Sequence, residues 1–240
     1  MRFISEQRLD DAVVERDFTL GEIPGTLWTP ESITPVPLIL MAHNNGLSRR
    51  EPRLAARARH AVAQGYAVAS IDAAGCGERP RTAAEEQARA ELRRAMRAGE
   101  PVDDIFESLV GPLVEKAAPD WRTALDALLA LPGIGGAVGY SGWAAVGIRL
   151  AATEPRIAAT VLFAGGYVPR AQREEARTVT VPLLLLLQWD DEGNPRQRAL
   201  DLFDAFGTEE KTLHANVGGH TGTPWFETED GYRFFDRHLK

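Results

Sequence analysis

With 240 residues, 44% hydrophobic and 25% charged, the chain is long enough to bury an α/β core, and its formal net charge of −7 leaves no basic footprint for nucleic acid or an anionic membrane. The single cysteine, Cys76, excludes an internal disulfide and fits a reducing, cytoplasmic compartment. Met1 to Asp11 lacks the apolar stretch of a signal peptide, and the longest apolar run, Val181 to Leu187, is too short to span a bilayer.

In chain order, Ala12 to Val14 with Phe18 to Leu20, then Gly25 to Thr29, read as two β-runs joined through Gly21 to Pro24, an antiparallel edge hairpin. Val36 to Ala42 is a continuous apolar run of the kind found in a strand buried on both faces, and His43-Asn44-Asn45-Gly46 ends it. Glu51 to Gln64 carries Leu54, Ala55, Ala58, Ala61 and Val62 at helical spacing and stops at Gly65. Tyr66 to Ile71 is the next buried strand. Strands alternating with helices imply parallel pairing.

Thr82 to Arg97 and Val102 to Lys116 both read as helices, separated by Gly99 and Pro101. This excursion over about 82–118 breaks the strand–helix beat. It is either part of a lid at the rim or a pair of packing helices. Asp120 to Leu131 reads as a separate amphipathic helix with Asp120 as its N-cap. Ile157 to Phe163, Val179 to Trp189 and Thr212 to Ala215 read as strands, and Arg196 to Phe206 and Trp225 to Leu239 as helices. No repeat or linker appears, so one domain over 1–240 is expected.

The chain is organised around Val138-Gly139-Tyr140-Ser141-Gly142-Trp143-Ala144, where a short apolar run meets Gly-x-Ser and passes at once into a helical stretch, Ala144 to Ala152. A sharp strand-to-helix turn can present a serine hydroxyl clear of the sheet, with a helix N-terminus beneath it. At the ends of the other expected strands stand His43-Asn44-Asn45, Asp72, Asp190-Asp191 and His220, and such ends share one rim of a doubly wound sheet. A serine needs an imidazole to take its proton, and the imidazole needs an acid on its other nitrogen.

These residues resemble an α/β-hydrolase, and within that superfamily the dienelactone-hydrolase-like esterases. The carriers are Leu40 to Gly46, Ile71 to Gly77, Gly139-Tyr140-Ser141-Gly142, Gln188 to Glu192 with Asn194-Pro195, and Gly218-Gly219-His220. The resemblance implies a mostly parallel, twisted sheet with helices on both faces and the 82–118 helices near the active-site rim. It implies Ser141 as nucleophile, Asp191 as orienting acid and His220 as base. It also implies an oxyanion hole from the backbone N–H of Gly142 and of Asn45 or Asn44, with Trp143, His43 and Trp189 bordering the substrate pocket. Dienelactone hydrolases proper use cysteine, so serine here points to an ordinary ester. Two departures stand out: Trp143 lies two after the serine, where glycine is usual, and asparagines replace the glycines after His43. Shifting the register by three would instead place Ala144 at the nucleophile position; the longer helix left by Ser141 favours Ser141.

The expectation is therefore a cofactor-free serine hydrolase of a small-molecule carboxylic ester, acting through an acyl-enzyme, as a monomer or homodimer. A non-catalytic binding protein on the same scaffold, or an acyltransferase or peptidase with the same triad, are the alternatives. Neither a metal-ligand spacing nor a dinucleotide loop is present. Arg49, Arg50, Arg79 and Arg81 fall in loops flanking the rim, either solvated or able to pair with a substrate carboxylate.

Overall fold

A computed structural model describes residues 1–9, 12–43 and 46–240. The chain runs β1 (Arg2–Arg8), β2 (Val13–Leu20), β3 (Ile23–Pro30), β4 (Val36–Met41), α1 (Pro52–Ala63), β5 (Ala67–Ile71), α2 (Ala83–Ala98) and α3 (Asp103–Leu129). It continues with β6 (Ile134–Trp143), α4 (Ala144–Thr153), β7 (Ile157–Phe163), α5 (Arg170–Ala176), β8 (Leu183–Gln188), α6 (Arg196–Ala205), β9 (Lys211–Asn216) and α7 (Phe226–Leu239). The strands form one sheet ordered β1-β2-β3-β5-β4-β6-β7-β8-β9. From β5 to β9 the pairings are parallel, and β1, β2 and β3 join antiparallel.

The apolar runs of β4 and β8 feed both faces of the sheet. Leu38, Leu40, Leu183 and Leu185 pack toward α3, α4 and α6, with Val114, Trp121, Ile148 and Leu202. Ile39, Met41, Leu184 and Leu186 pack toward α1 and α7, with Leu54, Val62, Tyr232 and Phe235. Burying such runs on both sides, at about 25 cal/mol per Å² of apolar surface, is what fixes their place in the middle of the sheet.

Three expectations are corrected. The hairpin of β2 and β3 is not at the edge, because β1 adds a further strand outside it. All seven residues of β1 are exposed, so no buried face imposes an alternating pattern on its sequence. The helices expected over 102–116 and 120–131 are one, α3, of 27 residues, with Pro112 and Pro119 inside it. Each proline removes an N–H and crowds the carbonyl four residues earlier. A buried stripe through Val114, Ala117, Ala118, Trp121 and Leu125 crosses Pro119 without interruption, and its packing on the sheet holds the helix together. Asp120 is therefore no N-cap; its carboxylate meets Arg79 Nη1 instead.

The third correction concerns the central turn. Strand β6 runs through Ser141 to Trp143, and α4 begins at Ala144 and has 10 residues. Ser141 is paired with Met41 on one side and Val161 on the other, so it lies inside the sheet, not at the tip of a turn. Among the described residues Ala12 is the only non-glycine with positive φ, so the junction carries no left-handed residue other than Gly142, at φ 140°. A Cβ at Gly142 would stand 2.3 Å from the Ala42 carbonyl oxygen, which is why this strand position takes glycine.

Candidate active site

Ser141 is 3% exposed, and its hydroxyl opens into a cavity of about 440 Å³ between the sheet, α1 and α7. His43, Gly142 and His220 line the same cavity. The strand alternation explains the direction: a Cβ at Gly139, two residues before Ser141, would strike Phe235 and Leu239 of α7.

His220 is held by three consecutive acids that follow β8. Asp191, with a side chain 1% exposed, accepts from His220 Nδ1 at 2.9 and 3.1 Å, and its Oδ1 also accepts from the N–H groups of Gly193 and Asn194. That contact puts the proton on Nδ1 and leaves Nε2 as the acceptor, the form a general base requires. Asp190 accepts from the N–H of Gly218 and of Gly219, both at 2.9 Å, and Glu192 accepts from the N–H of His220 at 3.1 Å. The glycine N–H groups, Gly219 first, hold the Asp190 carboxyl below its usual range. Glu192 is likewise lowered, by its own N–H and that of His220. Arg53 closes the turn on its other side, donating to the carbonyls of Thr221 and Thr223.

The hydroxyl of Ser141 does not bond to this imidazole. Its hydrogen bond comes from Arg57 Nη2 on α1, at 2.7 Å. The His220 ring lies edge-on to Phe163, 6.2 Å between centroids, and Phe163 is the strand partner of Trp143. Ser141 sits one pleat deeper, opposite Val161, and two residues along a strand span about 6.6 Å.

The remaining expected residues are placed as follows. Trp143 is buried in the core on the α3 and α4 side and does not line the cavity; its carbonyl accepts from Tyr140 Oη. Trp189 is half exposed, with the Arg196 guanidinium 4.7 Å from its ring centre. His43 Nε2 accepts from the N–H of Ala73, and the buried Asp72 accepts from the N–H groups of Arg49 and Glu78. Asn44 and Asn45 lie outside the described residues. Each loop arginine has a carboxylate partner: Arg49 has Asp72 and Glu78, Arg50 has Asp17 and Glu78, Arg79 has Asp120, and Arg81 has Glu86.

Arg57 escaped the sequence reading, although its position carried a signal. It stands three after Leu54 and beside Ala58 on the apolar face of α1, where a charge needs a reason. Glu227, which lines the cavity, belongs to a second histidine–carboxylate pair: His214 Nδ1 lies 2.8 Å from it, and its other oxygen accepts from Asn216. With Asp230 these side chains bring three metal-capable atoms within 4.8 Å of one another, but Glu227 is already satisfied by protein donors.

No protein-family model matches the chain, and no curated protein matches it. Among solved structures it is similar to a cold-adapted esterase from an Arctic intertidal metagenomic library, 29% identical over 100% of both chains with a TM-score of 0.79. An esterase of Pyrococcus furiosus is 14% identical, covering 99% of this chain and 96% of that one, with a TM-score of 0.70. A candidate dienelactone hydrolase of Klebsiella pneumoniae subsp. pneumoniae is 15% identical, covering 94% and 98%, with a TM-score of 0.68. The fold is thus that of the α/β-hydrolases.

Proposed function

We propose that this α/β-hydrolase chain is a carboxylic ester hydrolase whose chemistry is run by Ser141, His220 and Asp191. The observation that carries the reading is the His220–Asp191 pair, with its ring tautomer set, opening onto the same cavity as the Ser141 hydroxyl. The full-length likeness to an esterase at 29% identity supports ester cleavage.

In this reading Ser141 Oγ leaves Arg57, gives its proton to His220 Nε2 and attacks the ester carbonyl. Asp191 holds the imidazolium, and the Gly142 N–H, with that of Asn45 or Asn44, receives the oxyanion. Collapse expels the alcohol with the proton from His220, and water repeats the sequence on the acyl-enzyme. Each oxyanion donor contributes roughly 3 kcal/mol to lowering the barrier.

A second reading, a scaffold that binds an ester-like ligand without cleaving it, is favoured by the junction at Trp143–Ala144 and by the engagement of Ser141 with Arg57. A fluorophosphonate probe with mass mapping of the labelled residue separates the two. Label on Ser141, lost together with 4-nitrophenyl butyrate turnover in Ser141→Ala, supports the hydrolase. An unlabelled, inactive parent supports the binder. Label gained in Ala144→Ser alone would place the reacting position at the junction.

A further inference from the structure

The cavity holds a cation, Arg57, that has no carboxylate partner among the described residues. Among the described residues, no carboxylate lies within 4.0 Å of the Arg57 guanidinium; Nη2 donates to the Ser141 hydroxyl, and the Tyr232 hydroxyl, likewise neutral, is its other polar neighbour. The contrast with its neighbours is sharp. Arg49, Arg50, Arg79 and Arg81 are each neutralised by carboxylates, and Arg53 is spent on two backbone carbonyls. Of the acids that line the cavity, Glu227 is taken by His214 and Asn216, and Glu51 stands at the start of α1, nearly two turns before Arg57.

A half-buried guanidinium that lines a cavity and lacks a carboxylate partner is a receptor for a planar anion, since its fork matches a carboxylate.

We propose that the ligand of this cavity carries a carboxylate close to its carbonyl group, and that Arg57 is the residue that selects it. Distances set the spacing. A reacting carbonyl carbon stands about 3–3.5 Å from the attacking oxygen, and a carboxylate oxygen about 2.8 Å from a guanidinium nitrogen. With Nη2 only 2.7 Å from Oγ, the two groups of the ligand stand at most about 9 Å apart, a limit that a spacer of two methylene carbons meets. In the hydrolase reading, on which the substrate form of this inference rests, that describes the half-ester of a short dicarboxylic acid. Pairing with the carboxylate also draws Arg57 off Ser141 and frees the hydroxyl for His220.

The test separates binding from turnover. Calorimetry of the parent with 4-oxopentanoate and with 2-pentanone, a charged and a neutral ketone that no hydrolase can cleave, is expected to show at least about tenfold tighter binding of the anion. Arg57→Gln abolishes that ratio, Arg57→Lys keeps part of it, and Ser141→Ala preserves it. Melting curves of all variants check the fold. Equal affinity of the parent for the two ketones, or an unchanged ratio in a folded Arg57→Gln, overturns the proposal. If the anion is preferred but 4-nitrophenyl hydrogen succinate is not turned over, the hydrolase reading fails and the selection by Arg57 stands.

Discussion

Arg57 donates to the Ser141 hydroxyl at 2.7 Å, while the histidine that would activate that hydroxyl is tied to Asp191 one pleat nearer the rim. The two halves of the proposed catalytic device thus share a cavity without touching. The serine bond is made by a half-buried cation that lines the cavity, so losing the hydroxyl leaves Arg57 able to rehydrate. Ser141→Ala is expected to change the unfolding free energy by less than about 1 kcal/mol in urea titrations while removing ester turnover. A large loss of stability would mean that the hydroxyl serves the fold.

Asp191 is buried and accepts from the imidazole and two backbone N–H groups at once. Asn in its place keeps the shape but offers an amide, which stabilises the wrong tautomer of His220. Asp191→Asn is expected to lower kcat by roughly 10²- to 10⁴-fold with KM little changed. A loss in KM alone would make the acid a support for the ligand pocket instead.

The sequence conveyed the parts of this molecule that are buried on two sides and blurred those that are not. β4, β7 and β8 announce themselves because a central strand has no polar face to display. β1 is silent because both its faces meet solvent, and α5 because its seven residues are too few for a period to register. Pro119 conceals the continuity of α3, which tertiary packing enforces against local preference. At the site, Asp191 and His220 were legible from their strand-end positions, and their side chains are hydrogen-bonded. The turn at Ser141 was not: Gly-x-Ser looks the same inside a strand as at its end, and pairing with Met41 and Val161 decides which it is.

The role of Asp120 offers a direct check on that continuity. As a cap it would act through its side-chain oxygen, which Asn supplies equally well. As the partner of Arg79, with both side chains 17% exposed, it acts through charge, fixing the loop after β5 to α3. Asp120→Asn is therefore expected to cost about 1–3 kcal/mol by denaturant unfolding, where a cap would tolerate it.

Asp190 joins the turn carrying His220 to the end of β8 through N–H groups that only a carboxylate binds strongly. Those donors lower its pKa from the ordinary 3.8, so the folded state holds the charged form more firmly than the unfolded chain does. For a depressed carboxyl the stabilisation is complete above the unfolded value and is lost as pH falls through the folded one. Glu192, lowered from 4.5 with the His220 N–H among its causes, follows the same sign. Asp190→Asn should accordingly melt earlier than the parent at about pH 7, and the gap should close as the pH falls below 3.8 and through the depressed folded-state value, where the parent loses the charge too. Hydrogen exchange at Gly218 and Gly219 would localise the effect: faster exchange in the variant at neutral pH and matching rates in acid are the expected pair of results. A gap in melting temperature that persists unchanged into acid would show that Asp190 works through its shape, and that the charge plays no part in holding the histidine turn.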